Sequence, residues 1–420
     1  MSTLILALKS LYNRRVTALL TLSAIALSVT LLLGVERIRQ GARESFSNTI
    51  SKTDLIVGAR SGPVQLLLYS VFRIGDATNN ISWKSYRELA SRPEVAWTVP
   101  ISLGDSHHGF RVMGTNQDYF KYYRYSRERS LELAEGAVFE NVFDAVLGAD
   151  VAREMGYRPG QKIVLTHGIG EVGFLNHEDK PFQVVGILEK TGTPVDRTIH
   201  VSLEGIEAMH VDWQSGAPPV SGEEISVDQV LRMKLEPKNI TAFLVGVKSK
   251  ILTFRLQRDI NEYREEPLLA ILPGVALQQL WSLVGMAETA LRTISAFVVL
   301  IGLFGMLTNI LTSLNERRRE MAILRSVGAR PIHIFVLLVS EAGLLCVLGC
   351  LLGVLLLYLL LLLVLPLIEQ RMGFFIPLSL LSLYDVAILC LVTGSGLLMG
   401  GIPAWRAYRQ SLIDGLTIRL

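Results

Sequence analysis

Cysteine is scarce in this chain and is absent from its polar part. Only three of the 420 residues are cysteine, and Cys346, Cys350 and Cys390 all lie in apolar stretches. The polar part, residues 37–285, therefore has neither a disulfide framework nor a cysteine-based zinc site. A free cysteine among apolar residues behaves mostly as a small hydrophobic side chain.

An excess of charge and the common catalytic motifs are also missing. The 41 basic and 38 acidic residues leave a net charge of +3, so electrostatics gives no reason to expect a nucleic-acid partner. The sequence contains no G-x-x-x-x-G-K-[ST], H-E-x-x-H or G-x-S-x-G. We therefore predict that this chain has no catalytic residue, binds no cofactor and is not itself an ATPase.

Two features of the polar part resemble ligand sites only superficially. Gly168, Gly170 and Gly173 spell G-x-G-x-x-G, but the chain continues towards another strand instead of opening a helix, which predicts a glycine-rich hairpin loop. Histidine lacks H-x-x-x-H spacing, which favours scattered surface and hairpin residues over a metal site. The six histidines of this part are His107, His108, His167, His177, His200 and His210.

Four long apolar runs stand out against a mean hydropathy of +0.39. A helix needs roughly 20 apolar residues to cross a bilayer, and residues 16–35, 293–314, 334–367 and 386–404 qualify. Charged residues instead of a cleavage pattern follow the first run, which favours an uncleaved anchor over a signal peptide. We predict membrane spans at 16–36, 286–314, 334–367 and 385–405.

Three sets of arginines lie close to the ends of these spans. If four helices alternate in direction, all the arginine sets lie on the same face, which the positive-inside rule identifies as the cytoplasm. Both termini, an amphipathic segment at 1–15, a loop at 315–333 and a tail at 406–420 are then cytoplasmic. Residues 37–285 and a short loop at 368–384 lie outside. The flanking residues are Arg14, Arg15, Arg317, Arg318, Arg319, Arg325, Arg330, Arg406 and Arg409.

The large polar segment has the alternating signals of a mixed α/β domain. Strands are predicted at 54–57, 110–113, 162–166, 182–188 and 243–247. Helices are predicted at 83–91, 149–155, 203–210 and 252–264, with Ser82 as the N-cap of the first. Near-helical spacing continues beyond the first span and before the second, which indicates either ordinary core helices or a two-helix stalk.

The loop between the second and third spans carries the most specific pattern. Residues 316–327 predict an amphipathic helix that ends at Gly328, before Pro331 begins the next helix. Taken alone, such a segment is either a topology signal or a helix on the membrane surface. Its sequence resembles the E-R-x-R-E-I-x-x-L-R-x-x-G-A segment of FtsX-like and MacB-like (type VII) ABC transporter permeases. The matching residues are Glu316, Arg317, Arg319, Glu320, Met321, Leu324, Arg325, Gly328 and Ala329, with methionine in place of isoleucine.

Looser similarity extends along the chain. RVMGTNQDYF from Arg111 and LGADVAREMGYRPGQKI from Leu147 resemble the family's external domain. SEAGLLCVLGCLLG from Ser340 resembles the start of its third helix. PAWRAYRQSLIDGL from Pro403 resembles its C-terminal motif, with Leu412 where proline is usual.

The resemblance implies an α-helical protein with four transmembrane helices and a large mixed α/β periplasmic domain inserted between helices 1 and 2. It further implies a permease subunit of the bacterial inner membrane, without a fused ATPase, whose matching loop residues dock onto a separate ABC ATPase that holds ATP and Mg. Movement of the periplasmic domain would then drive export or extraction of a substrate. The other expected partners are a second permease copy, more readily a homodimer than a heterodimer, a periplasmic adaptor or substrate-binding protein, and membrane lipids.

Polar and small residues within the spans form a further group. Glu341 is an intramembrane carboxylate, which is either functional or an interfacial residue paired near the cytoplasmic face. The spans contain two G-x-x-x-G motifs, one formed by Gly349 and Gly353 and the other by Gly396 and Gly400. Such motifs favour close helix packing within the chain or across a dimer.

Two functions other than transport fit parts of the sequence. One is an FtsX-like signal transducer that activates a periplasmic partner without transport. The other is a membrane-anchored periplasmic enzyme, which no catalytic constellation supports. The external segment of roughly 250 residues is larger than that of FtsX proper and favours the transporter.

Overall fold

The chain forms a set of long apolar helices and a separate α/β domain. The computed structural model describes residues 3–126, 128–168, 179–212, 225–316, 318–372 and 380–409. One compact unit comprises Met1–Gly41, Gly285–Ile368 and Ile376–Leu420, and the other comprises Ala42–Val284 and Glu369–Phe375. In sequence, the α/β domain thus lies between the first and second long helices, and the predicted fold class is confirmed.

Helices occur in both units. Within the described ranges, four are long and apolar enough to cross a membrane, at Arg15–Glu44, Pro273–Leu314, Pro331–Leu365 and Leu383–Arg409. In chain order the helices are α1 (Thr3–Asn13), α2 (Arg15–Asn48), α3 (Pro63–Leu67), α4 (Trp83–Ala90), α5 (Asp118–Tyr122), α6 (Ala149–Met155), α7 (Leu203–His210), α8 (Val227–Val230), α9 (Thr253–Asn261), α10 (Pro273–Glu316), α11 (Arg318–Ser326), α12 (Pro331–Met372) and α13 (Leu383–Arg409).

The long helices pack through an apolar core with a few hydroxyl cross-links. A helix satisfies its own backbone hydrogen bonds, which is why apolar runs in a bilayer adopt this form. Ser28 Oγ of α2 lies 3.2 Å from the carbonyl oxygen of Val298 in α10, and Thr30 Oγ1 donates to Gly353 O of α12 at 2.9 Å. The buried core residues include Ile25, Val29, Leu33, Leu303, Met306, Ala342, Cys346, Leu357 and Val392.

The α/β domain is built on one extended sheet, which has eleven strands in the described part of the chain. Its main path runs β15-β1-β14-β3-β4-β12-β8-β11-β7, with β10 added to β3 and β9 added to β11. The strands are β1 (Leu55–Ala59), β2 (Ile81–Ser82), β3 (Val95–His107), β4 (Phe110–Thr115), β5 (Arg124–Tyr125), β6 (Arg129–Ser130), β7 (Leu133–Gly136), β8 (Asp144–Leu147), β9 (Lys162–Ile163), β10 (Thr166–His167), β11 (Phe182–Leu188), β12 (Thr198–Ser202), β13 (Asn239–Ile240), β14 (Ala242–Val247) and β15 (Leu268–Ile271).

The long strand β3 belongs to both halves of the sheet. Its first half pairs with β14, from Val95 opposite Val247 to Ile101 opposite Ala242. Its second half pairs with β4, beginning at Ser102 opposite Gly114. Pairing is antiparallel except between β12 and β4 and between β11 and β8. A single strand therefore connects the two halves of the sheet. Each half has an apolar cluster of its own, and a third cluster extends across both, from Ile56 and Leu244 to Val146 and Leu188.

Most of the predicted elements occur with small shifts of their ends. Helices α6 and α7 and strand β11 have the predicted bounds. Ser82 caps α4, because its hydroxyl accepts from the amide of Ser85. The strand predicted at 162–166 was wrong, since the segment contains two short strands: β9 pairs with β11 and β10 pairs with β3. The helix predicted at 252–264 is shorter in the structure, where α9 ends at Asn261. The side chain of Asn261 accepts a hydrogen bond from Ala270 N of β15.

Candidate functional site

The short helix α11 follows directly after the second long helix. Helix α10 is described up to Glu316 and α11 from Arg318 to Ser326, with Arg317 between them outside the described residues, so the predicted helix over 316–327 is confirmed for its described residues up to Ser326. Gly328 follows with a φ of +102°, the left-handed conformation that glycine adopts easily at a helix end. Pro331 then begins α12, as the sequence predicted.

Helix α11 has one packed side and one exposed side. Met321 packs against a cluster formed by the ends of α10, α12 and α13, which includes Leu314, Ile334 and Ala404, and Ala322 is also buried. Two apolar side chains are turned outward: Ile323 is 54% exposed, and Val327, which directly follows α11 and donates its amide to Ile323 O at 3.1 Å, is 84% exposed. Two exposed apolar side chains four residues apart lie on one helix face.

The predicted docking residues are only partly within the described structure. Arg317 lies outside the described residues, as do the side chains of Glu316, Arg319, Glu320 and Leu324. Of the remaining predicted residues, Met321 is turned inward, while Gly328 is exposed. The pattern match had not separated the inward from the outward side of the helix, and only the packing does so.

Glu341 lies in a polar region of the long-helix unit. It is 5% exposed and sits ten residues beyond Pro331, about 15 Å along the helix axis. With Arg14, Thr17 and Asn309, it lines a small recess of about 30 Å³. Asn309 Nδ2 donates to Thr21 Oγ1 at 2.7 Å and lies 3.3 Å from Thr17 O. The carboxylate thus belongs to a group of polar side chains from three helices.

The G-x-x-x-G glycines lie where helices of this chain approach each other. A Cβ added to Gly349 would lie 2.7 Å from an Ile25 methyl carbon, and one added to Gly353 would lie 2.8 Å from Ala26 O. On α13, Gly396 faces Cys346 and Gly400 faces Ala342. Both motifs therefore contact another helix of the same chain.

A cluster of charged residues that sequence reasoning did not identify as a site follows the first apolar run. Glu36 is buried and accepts from Arg39, Gln40 and Arg292, with Arg292 Nη2 of α10 at 2.9 Å from Glu36 Oε2. Arg37 Nη2 donates to Asp385 Oδ2 of α13 at 2.7 Å. The signal was present as charges directly after a span, but Arg292 and Asp385, which connect these charges to other helices, are more than 200 positions away.

The histidines of the α/β domain have different environments. His107 Nδ1 lies 2.6 Å from Val164 O, and its Nε2 lies 2.8 Å from the Tyr157 hydroxyl. His210 is 3.6 Å from a carboxylate oxygen of Asp105. The side chain of His167 and the whole of His177, Gly170 and Gly173 lie outside the described residues. The described side chains contain no group of three His, Cys, Asp or Glu residues that could hold a metal ion.

His200 occupies the interior of the same domain. It is fully buried, stacks on Tyr119 with ring centroids 5.3 Å apart, and its Nε2 has no partner among the described residues. Burial, together with the nearby charge of Arg73, lowers the pKa of His200 from 6.5 to about 3. For His210, burial opposes the charge, but the Asp105 carboxylate outweighs it and raises the pKa.

Two protein-family models match this chain. Residues 18–260 match the MacB-like periplasmic core domain, and residues 292–412 match the FtsX-like permease C-terminal domain. The first match covers the α/β domain with the first long helix, and the second covers most of the other three long helices and α11.

Several curated proteins are similar at low identity. The pyoverdine export ATP-binding/permease protein PvdT of Pseudomonas syringae pv. tomato is 23% identical over 345 residues, covering 80% of this chain and 48% of PvdT. The macrolide export ATP-binding/permease protein MacB of Shewanella sp. (strain ANA-3) is 22% identical over 422 residues, covering 98% of this chain and 60% of MacB. The chain spans about half the length of the curated relatives it matches.

Among solved structures, the extracellular domain of the noncanonical ABC-type transporter YknZ from Gram-positive bacteria aligns with this chain. The two are 12% identical with a TM-score of 0.31, and the alignment covers 52% of this chain and 99% of that domain.

Proposed function

Because the chain belongs to the MacB-like, FtsX-like family of ABC transporter permeases, we propose that it is the permease subunit of a type VII transporter. In this proposal, a separate nucleotide-binding subunit hydrolyses ATP and moves the periplasmic domain of the permease. That movement drives export or extraction of a substrate on the outer side of the bacterial inner membrane. Both termini and α11 lie in the cytoplasm.

The observation that carries the proposal is the two-sided packing of α11. Met321 packs against the ends of three long helices and Ala322 is buried, while Ile323 and the following Val327 are exposed. In this proposal, a protein bound to the exposed residues moves the helix ends through Met321, since closely packed side chains transmit displacement. The exposed pair offers the partner an apolar contact.

The docking surface we propose consists of Ile323, Val327 and Gly328, together with residues of the sequence motif that neighbour them in the chain: Glu316, Arg317, Arg319, Glu320, Leu324, Arg325 and Ala329. The partner is an ABC ATPase, and it supplies the sites for ATP and Mg. A second copy of this permease and a periplasmic adaptor or substrate-binding protein complete the proposed assembly.

Transport is favoured over signal transduction by the extent of the external domain. Residues 18–260 match the MacB-like periplasmic core domain, and the similar proteins PvdT and MacB are named for pyoverdine export and macrolide export. We carry over only the reaction class, since an identity of 22–23% gives no ground for a particular substrate.

Co-purification tests the docking surface. The tagged chain is purified in mild detergent from cells that also produce a candidate ABC ATPase of the same organism, and the ratio of ATPase to permease and the rate of ATP hydrolysis are measured. We expect Ile323→Asp and Val327→Asp each to lower the ratio and the hydrolysis rate at least about tenfold, since a buried charge at an apolar contact costs several kcal/mol.

Ile251→Asp serves as the matched control, because Ile251 is 88% exposed on the α/β domain and far from α11 in sequence. This variant is expected to retain the ATPase. The elution volume of each purified permease checks that the variants are folded. Normal binding and hydrolysis with both α11 variants would contradict the docking role of this helix.

A further inference from the structure

A polar recess opens beside the junction of α1 and α2. It has a volume of about 350 Å³ and is lined by residues from two places in the chain, the junction itself and the end of α10. The junction contributes Arg14, Arg15 and Thr17, and α10 contributes Asn309 and Thr312. The volume falls in the range of about 300–1,000 Å³ that is usual for small-molecule sites. All of the lining belongs to the long-helix unit.

The charge of the recess is positive. Arg14 and Arg15 line it, and none of the described residues around it is acidic. The adjoining small recess is lined by Glu341 and shares Arg14 with this one. Among the described residues that line the two recesses there are two arginines and one carboxylate, so positive charge exceeds negative charge by one. Arginine presents a planar set of donors that matches the oxygen atoms of a phosphate group.

An apolar stripe adjoins the positive recess. Val16 lines the recess and is itself 68% exposed. Leu19 and Leu20, at 66% and 65% exposed, follow it at i+3 and i+4 and therefore lie on the same helix face. In a helix that crosses a membrane, exposed leucines on such a face contact lipid chains. A soluble anion uses only the arginines, whereas a lipid uses both the arginines and the stripe.

We infer that this recess binds the headgroup phosphate of an anionic phospholipid, with an acyl chain along Val16, Leu19 and Leu20. The phosphate lies against Arg15 and Arg14, and Thr312 and Asn309 bound the space for the rest of the headgroup. The site rests only on the long-helix unit and goes beyond the proposed function, because it requires neither an ATPase partner nor a particular orientation.

Native mass spectrometry of the full chain in detergent measures this binding directly. The probes are short-chain phosphatidylglycerol, short-chain phosphatidylcholine and inorganic phosphate, each titrated separately and in competition. We expect one phosphatidylglycerol per chain, with an affinity about tenfold higher than that of phosphatidylcholine, because both lipids carry the phosphate but the two arginines repel the choline cation of phosphatidylcholine. Inorganic phosphate is expected to compete only weakly, since it lacks the acyl chain.

Two variants change the recess in different ways. Arg15→Gln removes the exposed cation, and Thr312→Trp fills the space without altering charge, so both are expected to weaken phosphatidylglycerol binding at least about fivefold. Lys9→Gln is the matched control, since Lys9 is an exposed cation of α1 that does not line the recess. This control is expected to bind as the unaltered chain does.

Three results would overturn the inference. Equal affinity for the two lipids would show that the recess does not select an anionic headgroup. Competition by phosphate as strong as that of phosphatidylglycerol would indicate a soluble anion instead. An equal loss of binding in Lys9→Gln and Arg15→Gln would show general attraction to a basic surface. Since Thr312→Trp and Arg15→Gln act independently, misfolding of one variant leaves the other as the test.

Discussion

At the scale of single residues, His200 makes the α/β domain sensitive to acid. The folded domain keeps it neutral, with a pKa of about 3, while an unfolded chain protonates histidine at about 6.5. Between these values the unfolded state binds the extra proton, so the free energy of unfolding falls as the pH falls below about 6.5. The loss is at most about 1.4 kcal/mol per pH unit.

We predict that His200→Phe reduces this loss. Thermal unfolding of the full chain in detergent at pH 7.5 and pH 5 should show a smaller drop in midpoint for the variant than for the unaltered protein. His210→Gln provides the opposite case. Because the pKa of His210 is raised, its ion pair with Asp105 stabilises the fold below about pH 6.5, and this stabilisation is lost as the pH rises through the pKa of the folded state. That variant should enlarge the drop, and identical drops in all three proteins would contradict both assignments.

Gly353 allows a second prediction at this scale. A Cβ there would meet Ala26 O at 2.8 Å and Val29 Cβ at 2.9 Å. Gly353→Ala must therefore separate α2 from α12 and strain the hydrogen bond from Thr30 to Gly353 O. We expect the variant to lower the free energy of unfolding by about 1–3 kcal/mol, measured by titration with SDS in mixed micelles.

Gly305→Ala is the control for that measurement. Gly305 lies in α10, and an added Cβ meets no atom within 4 Å. Since alanine is a better helix former than glycine, this variant should be as stable as the unaltered chain or slightly more stable. Equal losses at Gly353 and Gly305 would mean that the close approach of α2 and α12 is not what requires glycine.

At the scale of elements, Asp385 both begins α13 and ties it to α2. Its carboxylate accepts from Ser382 N at 2.8 Å, and its own amide lies 3.2 Å from the Ser382 hydroxyl oxygen, the reciprocal pattern of a capping box. The same carboxylate pairs with Arg37, and Asp385 is fully buried. The helix end and the contact between helices therefore depend on one side chain.

We predict that Asp385→Ala costs considerably more than Ser382→Ala. Loss of the serine cap should lower the free energy of unfolding by about 1 kcal/mol. Loss of the aspartate should lower it by about 3–5 kcal/mol, because it leaves the Arg37 charge buried. Unfolding of both variants in SDS provides the comparison, and similar losses would show that Asp385 acts only as a cap.

At the scale of the whole molecule, the arrangement of arginines predicts which side each part occupies. Lys234 of the α/β domain has an 87% exposed side chain, and Val327 after α11 is 84% exposed. In a background where Cys346, Cys350 and Cys390 are alanine, Lys234→Cys should react with a membrane-impermeant maleimide in spheroplasts. Val327→Cys should react only after the membrane is dissolved.

This labelling experiment tests the orientation independently of any partner protein. Labelling of Val327→Cys in intact spheroplasts would place α11 outside and remove the basis for an ATPase contact. Labelling of neither residue before detergent would contradict an external α/β domain. Both positions are highly exposed in the fold. The experiment uses cells that lack the partner ATPase, since Val327 lies on the proposed docking surface, so a lack of reaction reports the membrane barrier.

The sequence predicted much of the fold, although not its central strand. Strand β3 contains Pro100 and Gly104, residues that argue against a strand when they are read locally. It forms nevertheless, because β14 pairs with its first half and β4 with its second half. Helices α6 and α7, in contrast, have the bounds that the sequence predicted. Their apolar patterns are local and do not depend on a distant strand.

For the candidate site, the sequence pattern identified the segment but not which side of its helix is exposed. The residues from Glu316 to Ala329 were recognisable because a short basic, amphipathic motif stands between two long apolar runs. Which side of α11 is free depends on the ends of α10, α12 and α13, and these leave Ile323 and Val327 exposed. Local periodicity contains no information about those neighbours.

By itself, the sequence determined the four apolar helices, the mixed α/β character of the segment between the first two and the family to which the chain belongs. These depend on length, apolar content and short motifs, which are properties of neighbouring residues. Only the tertiary structure decided the partners of Arg37 and Glu36, the burial of His200 and the recess at Arg15. Each of these is a contact between distant parts of the chain, and its energy depends on distance and burial, which one-dimensional order does not specify.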